Sequence, residues 1–343
     1  MARQTLRVAS ALLCAVAALS ARADLVVLQY HHISDATPTA TSTSISLFEG
    51  QLEMIASEGL EVVALQAATE AALNGELATR QQVAITFDDA YESVYQQAAP
   101  MLEQRGYPYT IFVNTDAVGG KGYMTWDQLK ELNQSELVTM ANHSHDHGHL
   151  ARRIDESQAD WEQRADNSLD RAEAILQDRL GIDVPMFAYP YGEFDAALEE
   201  KLSTRNWIGY GQQSGAVGAT SGKTRLPRFP MANAYGQLGS LKDKLLSKAL
   251  PVNANDLPTG VLADNPPTLE FKLPETLNVS QLSCFASGQG RIEIEEGDNG
   301  IVRIQAPDDF DSRRFRYNCT HPAGDGRYYW LSQQWLDLQQ PED

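Results

Sequence analysis

The sequence predicts an α/β chain: an irregular (β/α) barrel over residues 24–252, a linker at 253–267, and a small β-sandwich over 268–343. Two patterns lead there. From Leu25 to about Leu250, short apolar runs alternate with amphipathic stretches, as the strand–helix units of a parallel sheet do. Beyond Pro251 the chain becomes rich in Asn, Asp, Pro and Gly, then resumes as short alternating runs without a helical period.

Residues 1–23 read as a secretory signal. Arg3 and Arg7 precede an apolar run from Val8 to Leu19, and Ala21-Arg22-Ala23 supplies a small-x-small cleavage pattern. The run is too short for a stable membrane span, and no later segment is long and apolar enough to make one. An exported protein, in the periplasm or outside the cell, is the expectation, with a membrane anchor as the alternative.

Strands are expected at Leu25–Gln29, Val83–Phe87, Tyr109–Val113, Leu137–Ala141 and Met186–Ala188. Helices are expected at Leu47–Glu58, Ser93–Arg105, Trp126–Asn133 and Ser157–Leu180. In the last of these, Trp161, Ala165, Leu169, Ala172, Ile175, Leu176 and Leu180 recur at helical spacing. No glycine-rich phosphate loop follows any strand, which speaks against a nucleotide site. After the linker, Thr268–Leu273, Arg291–Glu295, Ile301–Gln305, Arg313–Asn318 and Tyr328–Leu331 are the expected strands of the sandwich. Tyr317, Tyr328, Tyr329, Trp330 and Trp335 gather in this part, either to stack on sugar rings or to form its core.

Charge and cysteines narrow the setting. The net charge is −19, and removing Arg3, Arg7 and Arg22 with the signal takes it to −22. Such a surface repels nucleic acid and anionic membranes and favours a polycation, although solubility alone also accounts for it. Cys284 and Cys319 are the only cysteines left after the signal, and in an exported chain they predict one disulfide.

Two polar clusters carry the chemistry. Val83–Phe87 runs into Asp88 and Asp89, two adjacent carboxylates at a strand end, where a barrel places its active site. A turning chain can send one carboxylate to a metal and the other to an attacking water. Alternatively, the pair caps a helix beginning near Tyr91. Asn142-His143-Ser144-His145-Asp146-His147-Gly148-His149 follows the strand at Leu137–Ala141. Histidines four apart share one face of a helical turn, so His143 with His147, or His145 with His149, can converge on one ion. A surface metal scavenger is the other reading of such a tract. One Asp with two His leaves coordination positions open for substrate and water, as catalysis requires.

Together these segments resemble the NodB-type polysaccharide deacetylases, the family-four carbohydrate esterases, over roughly residues 25–250. Thr86-Phe87-Asp88-Asp89 matches the family's first motif, and His143, Ser144 and His147 match its His-Ser/Thr-x-x-His motif. The resemblance implies Asp88 as general base and Asp89, His143 and His147 as ligands of one divalent metal. Zn²⁺ is expected, with Co²⁺, Ni²⁺ and Fe²⁺ also compatible with that donor set.

The third motif, Arg-x-Pro-Tyr-Gly in the family, reads Ala188-Tyr189-Pro190-Tyr191-Gly192. The resemblance gives the backbone N–H of Tyr191 the oxyanion role, beside Pro190, but the arginine that orients the base is missing. Arg228 is the candidate replacement from another strand end, the alternative being an ordinary arginine.

No histidine lies between His149 and His321, where many relatives carry the general acid. Tyr30-His31-His32 instead ends the first strand, as in the permuted subgroup of exported poly-β-1,6-N-acetylglucosamine deacetylases. That likeness selects His31 as acid, with His32 second. The implied activity is removal of N-acetyl groups from an N-acetylglucosamine-containing polysaccharide, with release of acetate. Peptidoglycan, chitin oligomers or an O-acetylated glycan are alternative substrates, a catalytically silent glycan-binding protein is an alternative class, and exopolysaccharide export machinery is a candidate partner.

Overall fold

A computed structural model describes residues 24–77 and 80–342; the expected signal segment lies outside the described residues. The first part is an open, curled α/β sheet. In chain order its main elements are β1 (Leu25–Tyr30), α1 (Ile45–Ser57), α2 (Leu65–Leu73), β2 (Gln82–Asp88), α3 (Ala99–Arg105), β3 (Tyr109–Val113), α4 (Trp126–Leu132) and β4 (Val138–Asn142). There follow α5 (Gln158–Leu180), β5 (Met186–Ala188), α6 (Ala196–Thr204), β6 (Ile208–Tyr210), β7 (Ala216–Val217), β8 (Phe229–Pro230), α7 (Leu238–Leu245) and β9 (Lys248–Ala249).

The strand order is β7-β1-β2-β3-β4-β5-β6, with β8 also pairing on β1. The run from β1 to β6 is parallel, and β7 pairs antiparallel with the start of β1. It is a half-barrel that wraps without closing into a continuous cylinder.

Both faces of this sheet are buried, which is why its strands read as continuous apolar runs. The period of two separates the faces. Val26, Leu28, Tyr30, Val83, Ile85 and Phe87 pack outward with Phe48, Leu52 and Ile55 of α1 and Leu241 and Leu245 of α7. Leu25, Val27, Ala84, Phe112, Ala141, Met186 and Ala188 fill the concave interior, joined by Leu65 and Ala68 of α2. Helix ends follow local chemistry: the Ser157 hydroxyl accepts from Asp160 N at 3.2 Å to start α5, and Gly181, at φ 68°, ends it.

The later part holds β10 (Thr268–Lys272), β11 (Ser283–Ala286), β12 (Gly290–Ile292), β13 (Ile294–Glu296), β14 (Ile301–Gln305), β15 (Arg314–Gly324) and β16 (Arg327–Leu336). Two sheets, β9-β16-β15-β11-β12 and β10-β14-β13, enclose a core that includes Leu269, Phe271, Val302, Ile304, Tyr317 and Trp335. The disulfide Cys284–Cys319 joins directly opposed residues of β11 and β15 within that core. The five-stranded sheet is begun by β9 from the end of the first part, which pairs in parallel with β16.

Local features refine the expectation. The stretch 93–105 begins as a π-turn, Val94–Ala98, before α3. The run 291–295 divides between two strands in different sheets. Segment 253–267 is tied to β16: Leu262 N donates to Leu336 O at 2.8 Å, and Leu336 N donates to Gly260 O at 2.7 Å. Of the five late aromatics, Tyr317 and Trp335 are core, and Trp330 packs edge-on against Phe229 with ring centroids 5.2 Å apart; only Tyr328 is exposed. Among the described residues, no helix is long and apolar enough to cross a membrane.

Candidate metal centre and active site

The site forms at the C-terminal ends of β1, β2, β4 and β5. Alternation along β2 sends Thr86 and Asp88 to the concave side while Phe87 packs outward. The strand then stops, and Asp89 and Ala90 both take positive φ, 72° and 57°. That turn lets neighbouring carboxylates diverge: Asp88 stays in the barrel interior, and Asp89 swings toward the histidine loop. Neither caps a helix at Tyr91.

The histidine tract is a loop, not a helical turn. Ser144 (φ 67°) and His147 (φ 50°) adopt left-handed backbone, and side chains hold the shape. Ser144 N donates to Asn142 Oδ1 at 2.7 Å, and His147 N donates to Ser144 Oγ at 3.0 Å. The motif serine is thus a loop clamp. His143 and His147 converge because the loop folds back, whereas His145 turns away to Thr115 and His149 to Glu193.

Ligand atoms of Asp89, His143 and His147 all lie within 4.8 Å of one another. Asp89 Oδ1 is 3.4 Å from His143 Nε2 and 3.1 Å from His147 Nε2. It is buried, and among the described residues it meets no hydrogen-bond donor in good geometry, which suits an oxygen meant for a cation. His143 Nδ1 lies 2.7 Å from Ala188 O, so that nitrogen carries the proton and Nε2 presents its lone pair to the cluster. These residues fit a divalent ion of the open, catalytic kind.

Beside the cluster, Arg228 meets Asp88 in a two-point pair, Nη1 to Oδ1 at 2.7 Å and Nη2 to Oδ2 at 2.9 Å, with both side chains fully buried. Arg228 is held in turn by Gly211 O and Thr86 Oγ1. Gln29 Nε2 adds a third donor to Asp88 at 2.7 Å. Burial alone would raise the Asp88 carboxyl, but Arg228, His143 and His31 together, Arg228 foremost, outweigh it and hold the group at about 2.

His31, on the same face of the first strand as Gln29, brings Nε2 to 3.9 Å from Asp88 Oδ2. Burial pushes its pKa down, partly offset by the charges of Asp88 and Asp89. His32 points elsewhere and stacks on Tyr91 at 3.6 Å.

Pro190–Gly192 forms a single turn after β5 in which Tyr191 is left-handed (φ 57°, ψ 2°). Gly192 is also left-handed, and a Cβ there would stand 2.7 Å from Gln212 Cβ, so only glycine fits. The Tyr191 ring packs edge-on against His147 at 4.7 Å and stacks on His149 at 3.9 Å.

Asp88, Asp89, His143, His147, His31 and Arg228 are therefore brought together, with Pro190 and Tyr191 alongside. Gln29 and Glu193 were not singled out by sequence. An alternation argument along the first strand could have found Gln29, which shares the His31 face. Glu193, followed by apolar Phe194, offered no comparable signal.

Residues 76–206 match the polysaccharide deacetylase family. The poly-β-1,6-N-acetyl-D-glucosamine N-deacetylase of Escherichia coli K12 is 22% identical over 250 residues, 61% of this chain and 36% of that protein. The enzyme of the same name from Staphylococcus aureus MRSA252 is 27% identical over 186 residues, 48% of this chain and 64% of that protein. The chain thus spans less than two thirds of these relatives. Among solved structures, IcaB from Ammonifex degensii superposes with a TM-score of 0.52 at 27% identity, covering 60% of this chain and 91% of that one. The Streptococcus pyogenes deacetylase PplD shares the fold at a TM-score of 0.54 and 24% identity, covering 62% and 93%.

Proposed function

We propose that this chain, which carries a polysaccharide deacetylase domain over residues 76–206, hydrolyses N-acetyl groups of an N-acetylglucosamine-containing polysaccharide and releases acetate. The observation that carries the reading is the convergence of Asp89, His143 and His147 beside a buried, ionised Asp88. The β-1,6-linked polymer is the favoured substrate, on the printed activity of the Escherichia coli and Staphylococcus relatives.

A divalent cation held by Asp89, His143 and His147, Zn²⁺ in our reading, supplies Lewis acidity toward the acetamide carbonyl and the attacking water. Asp88, kept ionised by Arg228, accepts the proton of that water. Arg228 acts as the orienting residue that the third motif lacks. The Tyr191 backbone N–H, set beside Pro190, donates to the developing oxyanion. His31 delivers a proton to the departing amine. Gln29 Nε2, donating to Asp88 Oδ2, helps to fix the rotamer of Asp88.

We read residues 1–23 as a secretory signal, 24–252 as the catalytic domain, 253–267 as the connection and 268–343 as a disulfide-bearing β module. Export is supported by the disulfide between Cys284 and Cys319. Exopolysaccharide export machinery is the partner suggested by that placement.

The test is acetate and free-amine release from β-1,6- and β-1,4-linked N-acetylglucosamine oligomers, with and without chelator. Acetate from the β-1,6 series alone is expected. No acetate from either series, with metal bound, would sink the reading.

A further inference from the structure

We propose that the C-terminal β module is a working part of the active site, in which Arg314 and Gln334 are positioning residues that hold the Tyr191 loop. The inference rests on the deacetylase reading, because Tyr191 affects turnover only if its N–H faces a reacting carbonyl.

The loop needs holding. Tyr191 is a non-glycine residue in left-handed backbone, which costs of order 1 kcal/mol or more and persists only where surroundings over-determine it. The restraints come from far along the chain. Gln334, on β16, donates Nε2 to Gly192 O at 2.6 Å. Next in the loop, Glu193 has a fully buried side chain. It receives Arg313 through Nε at 2.8 Å and Nη2 at 3.0 Å, and Arg314 Nη1 at 2.6 Å. His149 Nδ1 reaches the same carboxylate at 2.9 Å, and its ring lies flat against Tyr191. The Arg314 guanidinium carbon stands 5.3 Å from the centre of the Tyr191 ring.

The module has a core of its own, built around Leu269, Phe271, Tyr317 and Trp335. Arg313, Arg314 and Gln334 contribute nothing apolar to that core. Their side chains donate to Gly192 O and to the Glu193 carboxylate, just after the motif tyrosine, and the Arg314 guanidinium also faces the tyrosine ring. Buried charge of this kind adds little net stability compared with apolar packing, but it fixes geometry. Through His149, two residues beyond His147, the same cluster spans the metal loop and the tyrosine loop.

The full chain, metal-loaded and with the disulfide intact, should be compared with Gln334→Met, Arg314→Met and Arg314→Lys. Two readouts apply: amide hydrogen exchange of a peptide covering 189–194, and kcat and KM for acetate release from a β-1,6-linked N-acetylglucosamine oligomer. We expect exchange at 189–194 to rise about tenfold in both Met variants, with exchange elsewhere unchanged. Metal content should stay at the wild-type value. The kcat should fall roughly 10–100-fold while KM stays within about threefold, the scale of a misplaced catalytic group. Arg314→Lys should recover part of kcat, since it keeps the charge and loses the fork.

Unchanged exchange at 189–194 in both Met variants overturns the proposal, whatever the activity. A rise in KM with constant kcat also overturns it, making the module a substrate-holding surface instead. If the wild-type chain releases no acetate from any oligomer, the deacetylase reading fails, and exchange alone decides whether the module holds the loop.

Discussion

Arg228 and Asp88, 140 residues apart in sequence, form a fully buried two-point ion pair at the floor of the candidate active site. The pair ties the strand entering from β8 to the end of β2 and keeps the carboxylate charged. Removing the arginine leaves a buried carboxylate without its counter-charge. Arg228→Met is expected to lower stability by about 3–5 kcal/mol. In whatever folds, kcat should fall by about 10²-fold or more through loss of orientation. Arg228→Lys should be nearly as poor, because a point charge cannot serve both oxygens. Urea melts and steady-state kinetics on the three proteins check this; a Met variant with wild-type melting and turnover contradicts it.

The ligand set and the base should separate cleanly. His143→Ala and His147→Ala each remove one of three ligands and should leave the purified protein with little metal after dialysis. Asp88→Asn should retain stoichiometric metal, yet lose turnover by about 10²–10⁴-fold, the range for a general base. Metal content by elemental analysis, beside acetate release, reads both. An Asp88→Asn protein that turns over normally would remove Asp88 from the base role.

Two adjacent histidines at the end of the first strand should behave differently. His31 faces Asp88 at 3.9 Å, and His32 stacks on Tyr91. His31→Ala is expected to lose about 10²–10⁴-fold in kcat as the amine loses its acid. His32→Ala should change kcat by less than about tenfold, since stacking on an aromatic is worth on the order of 1 kcal/mol. Equal losses in both variants would argue against His31 as the proton donor.

Acid should loosen the contact between the two parts. Burial opposes ionisation of Glu193, but His149, Arg313 and Arg314 outweigh it and hold the carboxyl at about 2, below its ordinary 4.5. A depressed carboxylate contributes stability that is present above the unfolded value and lost as pH falls through the folded one. The window is therefore pH 4.5 down to about 2, and the loss is about 3 kcal/mol. Denaturant melts across that range should show it. Glu193→Gln should be less stable at pH 7 and flatter with pH; a parallel pH profile in the variant would contradict the assignment.

Reduction of Cys284–Cys319 should cost roughly 3–4 kcal/mol in the chain-entropy account, given a sequence separation of 35. Comparing denaturant melts with and without reductant, or with Cys284→Ala/Cys319→Ala, reads this directly. Metal content should be unaffected, because no ligand comes from the disulfide-bearing strands.

Much of the fold was legible because burial on both faces of a parallel sheet leaves an unmistakable apolar run. Val83–Phe87 and Tyr109–Val113 are cases where composition and structure coincide within a residue at each end. The site residues were legible for a related reason: charged and imidazole groups interrupt such runs at the strand ends. The histidine tract misled in one respect. Spacing of four suggested a helical turn, whereas Ser144 and His147 in left-handed backbone bring the rings together in a loop. Spacing measures distance along the chain, and several backbone paths satisfy it.

The sequence by itself determined the α/β class, the change of pattern after residue 252, and the group Asp88, Asp89, His143 and His147. Each is a local property, set by periodicity or by residues a few positions apart. Only the tertiary structure decided that Arg228 meets Asp88, that His31 rather than His32 faces the site, and that Arg313, Arg314 and Gln334 reach the Tyr191 loop. Those pairings depend on which strands lie side by side and on the side-chain directions their register imposes. Such contacts join residues up to 142 positions apart, Gln334 to Gly192, and no window along the chain contains them.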